Sequence, residues 1–165
     1  MTLTINLNPP LPSLPRIKNK RETDIRYMLI SPFASAHIYW NNKLNELVYE
    51  VEEPVLREEE ITILREIEKA MLELINVNVA VDKTIEATTE YIDKTARLLL
   101  EELNITLDSE SYNKIFYYLF RDFIGLNEID PILRDYFIED IECNGANAPV
   151  YIIHRLYRNL RTNII

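Results

Sequence analysis

A chain of 165 residues that is 47% hydrophobic is long enough for one well-buried domain or two very small ones, and too apolar to be disordered as a whole. A net charge of −9 opposes bulk binding to nucleic acid and anionic lipid except where basic residues cluster, and two glycines, against roughly a dozen at average usage, point to long regular elements. The single cysteine excludes an internal disulfide and suits a reducing cytoplasm, no apolar run reaches the ~20 residues of a membrane span, and the first ten residues lack the basic segment of a signal peptide.

Residues 1–24 carry Pro9, Pro10, Pro12 and Pro15, then Arg16, Lys18, Lys20 and Arg21. This composition predicts an extended, flexible basic arm, either a solvated tail or a contact for a membrane surface or an acidic partner. From Ile25 the pattern changes. The runs 36–41 and 46–52 are rich in aromatic and β-branched residues and are separated by a polar stretch from Asn41 to Asn45, which predicts an antiparallel hairpin bounded by Pro32 and Pro54. His37 has no companion ligand and reads as structural.

Three helical stripes follow. Ile61, Leu64, Ile67, Met71, Leu74 and Ile75 recur in steps of three and four over 57–78, and Glu58, Glu59 and Glu60 fall in the first turn, where the helix dipole favours them. Asp82 is the expected N-cap of a second helix, whose face holds Ile85, Thr88, Ile92, Ala96, Leu99 and Leu103. Asp108 or Ser109 caps a third, running through Tyr112, Ile115, Phe116, Leu119, Phe120 and Phe123 to Gly125, its expected C′ residue. The aromatic residues at 116–118, with Phe120 and Phe123, read as core rather than a stacking surface. These stripes predict a three-helix bundle over 57–125.

Beyond it, Asp130 and Pro131 start a short helix ending at Asp135 or Tyr136. Candidate strands 138–143, 149–155 and 160–165 are joined by a turn at Asn144-Gly145 and another at 156–159. Such a meander is poorly satisfied alone, so the chain is expected to continue past Ile165 or to pair this edge with another copy or partner. The fold class expected is therefore α+β: an N-terminal β-hairpin, a three-helix bundle, and a small meander that begins a truncated second subdomain. The domains would be the arm 1–24, a helical domain 25–136, and residues 137–165.

Phosphate-loop, dinucleotide, zinc-protease, C-x-x-C and nucleophile-elbow motifs are all missing, so no catalytic, cofactor-binding or metal residue is assigned and the chain reads as non-enzymatic. Asp130, Asp135, Glu139, Asp140 and Glu142 could in principle hold Mg²⁺ or work as an acid and base pair. Along a strand, Glu139 and Asp140 would point to opposite faces while Asp140 and Glu142 shared one, and capping, turn formation and edge protection explain the acids more simply. Cys143 reads as a small buried residue.

The run 117–125, with Arg121, Asp122 and Gly125, is followed by 129–135, with Asp130, Pro131 and Asp135, and by 138–145, with Glu139, Asp140 and Gly145. Together with Pro149, Tyr151, His154, Arg155 and 162–164, these resemble, in order and over about 45 residues, the N-terminal region of the archaeal type II/IV secretion-system ATPases that drive pilus and archaellum assembly. Asn144 stands where aspartate is usual, Asn127 where a second glycine is common, and Arg57 where a small capping residue is usual. The resemblance implies that the complete protein is a hexameric, cytoplasmic motor, dependent on ATP and Mg²⁺, docked peripherally on a membrane platform protein, with its phosphate loop beyond Ile165. A PAS-like subdomain would begin in the last strands. This chain would then be a non-catalytic module whose partners are its own C-terminal ATPase domain, neighbouring subunits and the platform protein, but no nucleic acid. A free-standing adaptor and a carboxylate-Mg²⁺ enzyme are the alternatives.

Overall fold

The computed structural model describes residues 5–75 and 84–165. Strands come first: β1 (Asp24–Ile30), β2 (Ala34–Asn41) and β3 (Glu46–Glu52). Helices α1 (Glu58–Ile75), α2 (Ile85–Glu102) and α3 (Ser109–Phe123) follow, then a short α4 (Asp130–Leu133) and strands β4 (Ile138–Glu142), β5 (Tyr151–His154) and β6 (Arg158–Thr162). The chain divides into two compact units, Met1–Glu53 with Glu128–Ile165, and Pro54–Asn127.

All six strands belong to one mixed sheet in the order β1-β2-β3-β6-β5-β4. This overturns the expected hairpin, bundle and truncated meander: the N-terminal and C-terminal strands are parts of the same sheet, and β1 adds a third strand to the supposed hairpin. Nor is β6 an open edge, since it lies between β3 and β5, leaving β1 and β4 at the margins. The β3–β6 pairing is parallel and short, Val48 opposite Arg161 and Tyr49 opposite Thr162. The Asn163 carboxamide lengthens it, accepting from the Val51 N–H at 2.9 Å and donating to the Val51 carbonyl at 3.1 Å, as a further strand residue would.

Alternation explains β2, where Ala34, Ala36 and Ile38 are fully buried on one face. On the other face His37 bridges Asp24 and Glu52 at 2.9 and 3.0 Å and stacks on Tyr39, a structural role. Two bulges break the rule. Met28 and Ile30 pair with the consecutive Ser35 and Ala34, so Leu29 is an extra residue and both Leu29 and Ile30 are buried. Ile138 and Asp140 likewise pair with His154 and Ile153, so Glu139 is extra and Glu139 and Asp140 are both exposed, not on opposite faces of a regular strand.

In the helical unit, Leu64, Ile67 and Met71 of α1, Ile92, Ala96 and Leu99 of α2, and Ile115, Phe116, Leu119 and Phe120 of α3 are buried. Each such large apolar side chain contributes about 1.5–3 kcal/mol on burial. At the start of α1, Glu60 supplies the carboxylate half of a capping box, accepting from the Arg57 N–H at 2.7 Å, while the Arg57 guanidinium donates to Glu60 at 3.0 Å and to the Ser111 hydroxyl of α3 at 2.6 Å. The expected cap Asp82 lies outside the described residues, and Thr84 caps α2 through the Ala87 N–H. Asp108 caps α3, and the Gly125 N–H closes its far end on the Phe120 carbonyl at 3.2 Å.

Candidate functional site

A buried polar cluster in the sheet unit draws its residues from β1, β3, the turn after α4, and β5. Asp135, 6% exposed, accepts through Oδ2 from the hydroxyls of Tyr27 at 2.5 Å and Tyr49 at 2.8 Å, and through Oδ1 from the Phe137 N–H at 2.8 Å. His154, 1% exposed, lies 3.3 Å from the Tyr27 hydroxyl through Nε2. Its Nδ1 accepts from the Leu156 and Tyr157 N–H groups at 3.2 and 3.3 Å, so the ring proton belongs on Nε2 and is donated to the Tyr27 oxygen. The result is a chain of donors, His154 to Tyr27 to Asp135, joined at its end by Tyr49.

Burial holds the His154 imidazole down to about 4, against the opposing pull of the Asp135 carboxylate, so the ring is neutral near pH 7. Burial also pushes the hydroxyls of Tyr27 and Tyr49 well above the ordinary tyrosine range, reinforced by Asp135. The His154 ring is sandwiched between Phe137 and Tyr157, centroids 5.6 and 4.6 Å away and nearly parallel. Every polar atom of the cluster has a partner, and the phenols are locked as donors. Chemically it is a clamp between strands, not a nucleophile with its base.

Of the residues singled out by sequence, Asp135 and His154 are brought together here. Asp130 is buried beside them in the chain and takes a bidentate pair from Arg134 at 2.6 and 3.0 Å, with Pro131 buried in the same short helix. Glu139 faces Arg155 at 3.8 Å, and the Arg155 guanidinium covers the Tyr136 ring at 4.4 Å. Asp140 is exposed and accepts from the adjacent Ile141 N–H. Gly145 supplies a positive φ of 119° in the turn after β4. Arg121, Asp122 and Gly125 belong to the helical unit, where Arg121 pairs with Asp122 at 2.7 Å and lies over the Tyr118 ring. Cys143 is exposed, not buried as expected.

Sequence reasoning missed Tyr27, Tyr49, Phe137 and Tyr157, the aromatic half of the cluster; a tyrosine in a strand carries no local mark of where its hydroxyl ends. Among the described residues no group of three or more His, Cys, Asp and Glu side chains converges to hold a metal. Among them, too, no helix is long and apolar enough to cross a membrane.

The chain matches no family model. It is 37% identical over 117 residues to the uncharacterized protein MJ1288 of Methanocaldococcus jannaschii, an alignment covering 70% of this chain and 46% of that protein. It is 30% identical over 148 residues to a second uncharacterized protein of the same organism, MJ0900, covering 87% of this chain and 25% of that one. The chain thus spans somewhat under half the length of the first of these relatives and a quarter of the second.

Proposed function

We propose that this chain is a non-catalytic interaction module of a cytoplasmic, secretion-type assembly ATPase, coupling a nucleotide-driven ring to a membrane platform or accessory protein. The observation that carries this reading is the fate of the resemblance residues: Asp135 and His154 are consumed in a buried clamp, and Asp130 in an ion pair with Arg134. Polar groups committed to holding a sheet together suit a module that transmits force and presents surfaces. ATP and Mg²⁺ would be bound by a separate catalytic domain. The length of the relatives is compatible with a module of this kind inside larger proteins.

The test replaces residues 54–127 by a short Gly/Ser linker in the chromosomal gene, leaving the sheet unit intact. Soluble ATPase activity of the purified motor should persist while filament or pilus assembly fails. Normal assembly by that strain, or ATP hydrolysis by the 165-residue chain alone, would overturn the reading.

A further inference from the structure

Asn144-Gly145 is the single place in the sequence where glycine follows asparagine. The pair lies in the loop 143–150 between β4 and β5, and residues 143–147 are all exposed. Gly145 has a φ of 119°, and nothing beyond its chain neighbours lies within 4 Å of where a Cβ would stand. Its carbonyl accepts from the Ala148 N–H at 3.3 Å, closing a turn. Its own N–H and the Asn144 carboxamide make no hydrogen bond among the described residues. Other asparagines are placed differently. The Asn41 carboxamide accepts from the Lys43 and Leu44 N–H groups at 3.0 and 3.1 Å, the Asn163 carboxamide is held by Val51, and a side chain follows each, Asn42 and Ile164. A side chain on the following residue crowds the path of that residue's nitrogen to the carboxamide carbon, and glycine removes the crowding.

We propose that Asn144 is a site of spontaneous deamidation, through which this turn passes from a neutral to an anionic form while the protein stays folded. The Gly145 nitrogen attacks Cγ of Asn144, the N–Cγ bond forms, the Cγ–Nδ2 bond breaks, and ammonia leaves with the proton given up by the Gly145 N–H. Water then adds to the cyclic succinimide. Opening at Cγ gives aspartate, opening at the main-chain carbonyl carbon gives isoaspartate, and neither step oxidises or reduces the chain. The attack needs an unbonded N–H and an unbonded carboxamide, and the loop supplies both. The β4–β5 ladder ends at Glu142 opposite Tyr151, so no strand hydrogen bond has to break first. Isoaspartate lengthens the main chain by one methylene inside the loop, and either product sets a carboxylate two residues from Glu142.

The test incubates the full chain in mildly alkaline buffer and follows deamidation by mass spectrometry of its proteolytic peptides, with isoaspartate methyltransferase labelling as a second readout. The peptide holding Asn144 should deamidate at least about tenfold faster than those holding Asn41 or Asn163, a barrier difference of about 1.4 kcal/mol. The rate at Asn144 in the folded chain should lie within about fivefold of that in a synthetic peptide of residues 141–148, since the fold leaves both reacting groups unbonded. Gly145→Ala, for which the loop has room, and Asn144→Gln, whose cyclic intermediate would be one atom larger, should each slow the reaction at least about tenfold. A smaller margin over Asn41 and Asn163, a smaller slowing in either variant, or a folded chain that reacts more slowly than the peptide beyond that fivefold range would overturn the site.

Discussion

Asp135→Ala should be among the most damaging single substitutions in the sheet unit. The wild-type carboxylate accepts from two buried phenols and one backbone N–H at 2.5, 2.8 and 2.8 Å. Alanine leaves the buried Tyr27 and Tyr49 hydroxyls without their acceptor, at about 1–3 kcal/mol for each stranded donor. A loss of about 3–5 kcal/mol results, the range for breaking a buried charged network. With roughly 2–4 °C of melting temperature per kcal/mol in a chain of this size, the midpoint should fall by about 10 °C. Asp135→Asn is the informative control. Its oxygen can still accept from both phenols, but its amide then faces the Phe137 N–H, donor against donor, so its cost should be smaller. Urea unfolding followed by near-ultraviolet circular dichroism, which reports the tyrosines, measures both. An Asp135→Ala protein within 1 kcal/mol of wild type, or an Asn variant worse than the Ala variant, would refute the assignment of the cluster as the clamp.

Three further outcomes are expected. His154 has a folded value near 4 against 6.5 when unfolded, so stability tied to its neutral form is complete above pH 6.5 and is lost as pH falls from 6.5 toward 4; the urea midpoint should drop over that window by more in the wild type than in His154→Gln. Glu60→Ala removes the cap on the Arg57 N–H and should destabilise the helical unit by about 1–2 kcal/mol by helical circular dichroism. Because that N–H is the chief cause holding the Glu60 carboxyl down to about 2, its contribution is present above pH 4.5 and lost as pH falls from 4.5 toward 2. Asn163→Ala should cost about 1–2 kcal/mol and speed hydrogen exchange at the Val51 amide more than at amides of β1, since both carboxamide bonds go to Val51.

What could be read from sequence followed the range of the interaction. Helices announce themselves locally: Leu64, Ile67 and Met71 recur at helical spacing, and Asp108 caps α3 through the Ser111 N–H three residues on. The sheet does not. Val48 meets Arg161 across more than a hundred residues through two residue pairs and one asparagine, and no local pattern encodes that partnership. The extra residues at Leu29 and Glu139 also break the alternation from which the faces of β1 and β4 are read, although the strand at 138–142 itself was legible. Asp135 and His154 were visible as members of a resemblance, but their meeting through Tyr27 needs the register of three strands that only the fold supplies.

The way the clamp is assembled has a consequence for dividing the chain. Tyr27 and Tyr49 lie before the helical unit, Asp135 and His154 after it, and β6 closes against β3 from the far side of the same insertion. A cut after residue 125 therefore does not liberate an N-terminal domain: it strands two buried phenols, removes the partner of β3, and exposes a strand edge rich in apolar residues. The fragment 1–125 should keep helical signal from residues 54–125 yet lose near-ultraviolet tyrosine ellipticity and aggregate, whereas residues 1–53 joined by a linker to 128–165 should recover that ellipticity and remain monomeric at low concentration. Equal near-ultraviolet spectra for the two proteins would mean that the strands before the helices hold their arrangement unaided, and that the clamp is an accessory of the sheet and not its closure.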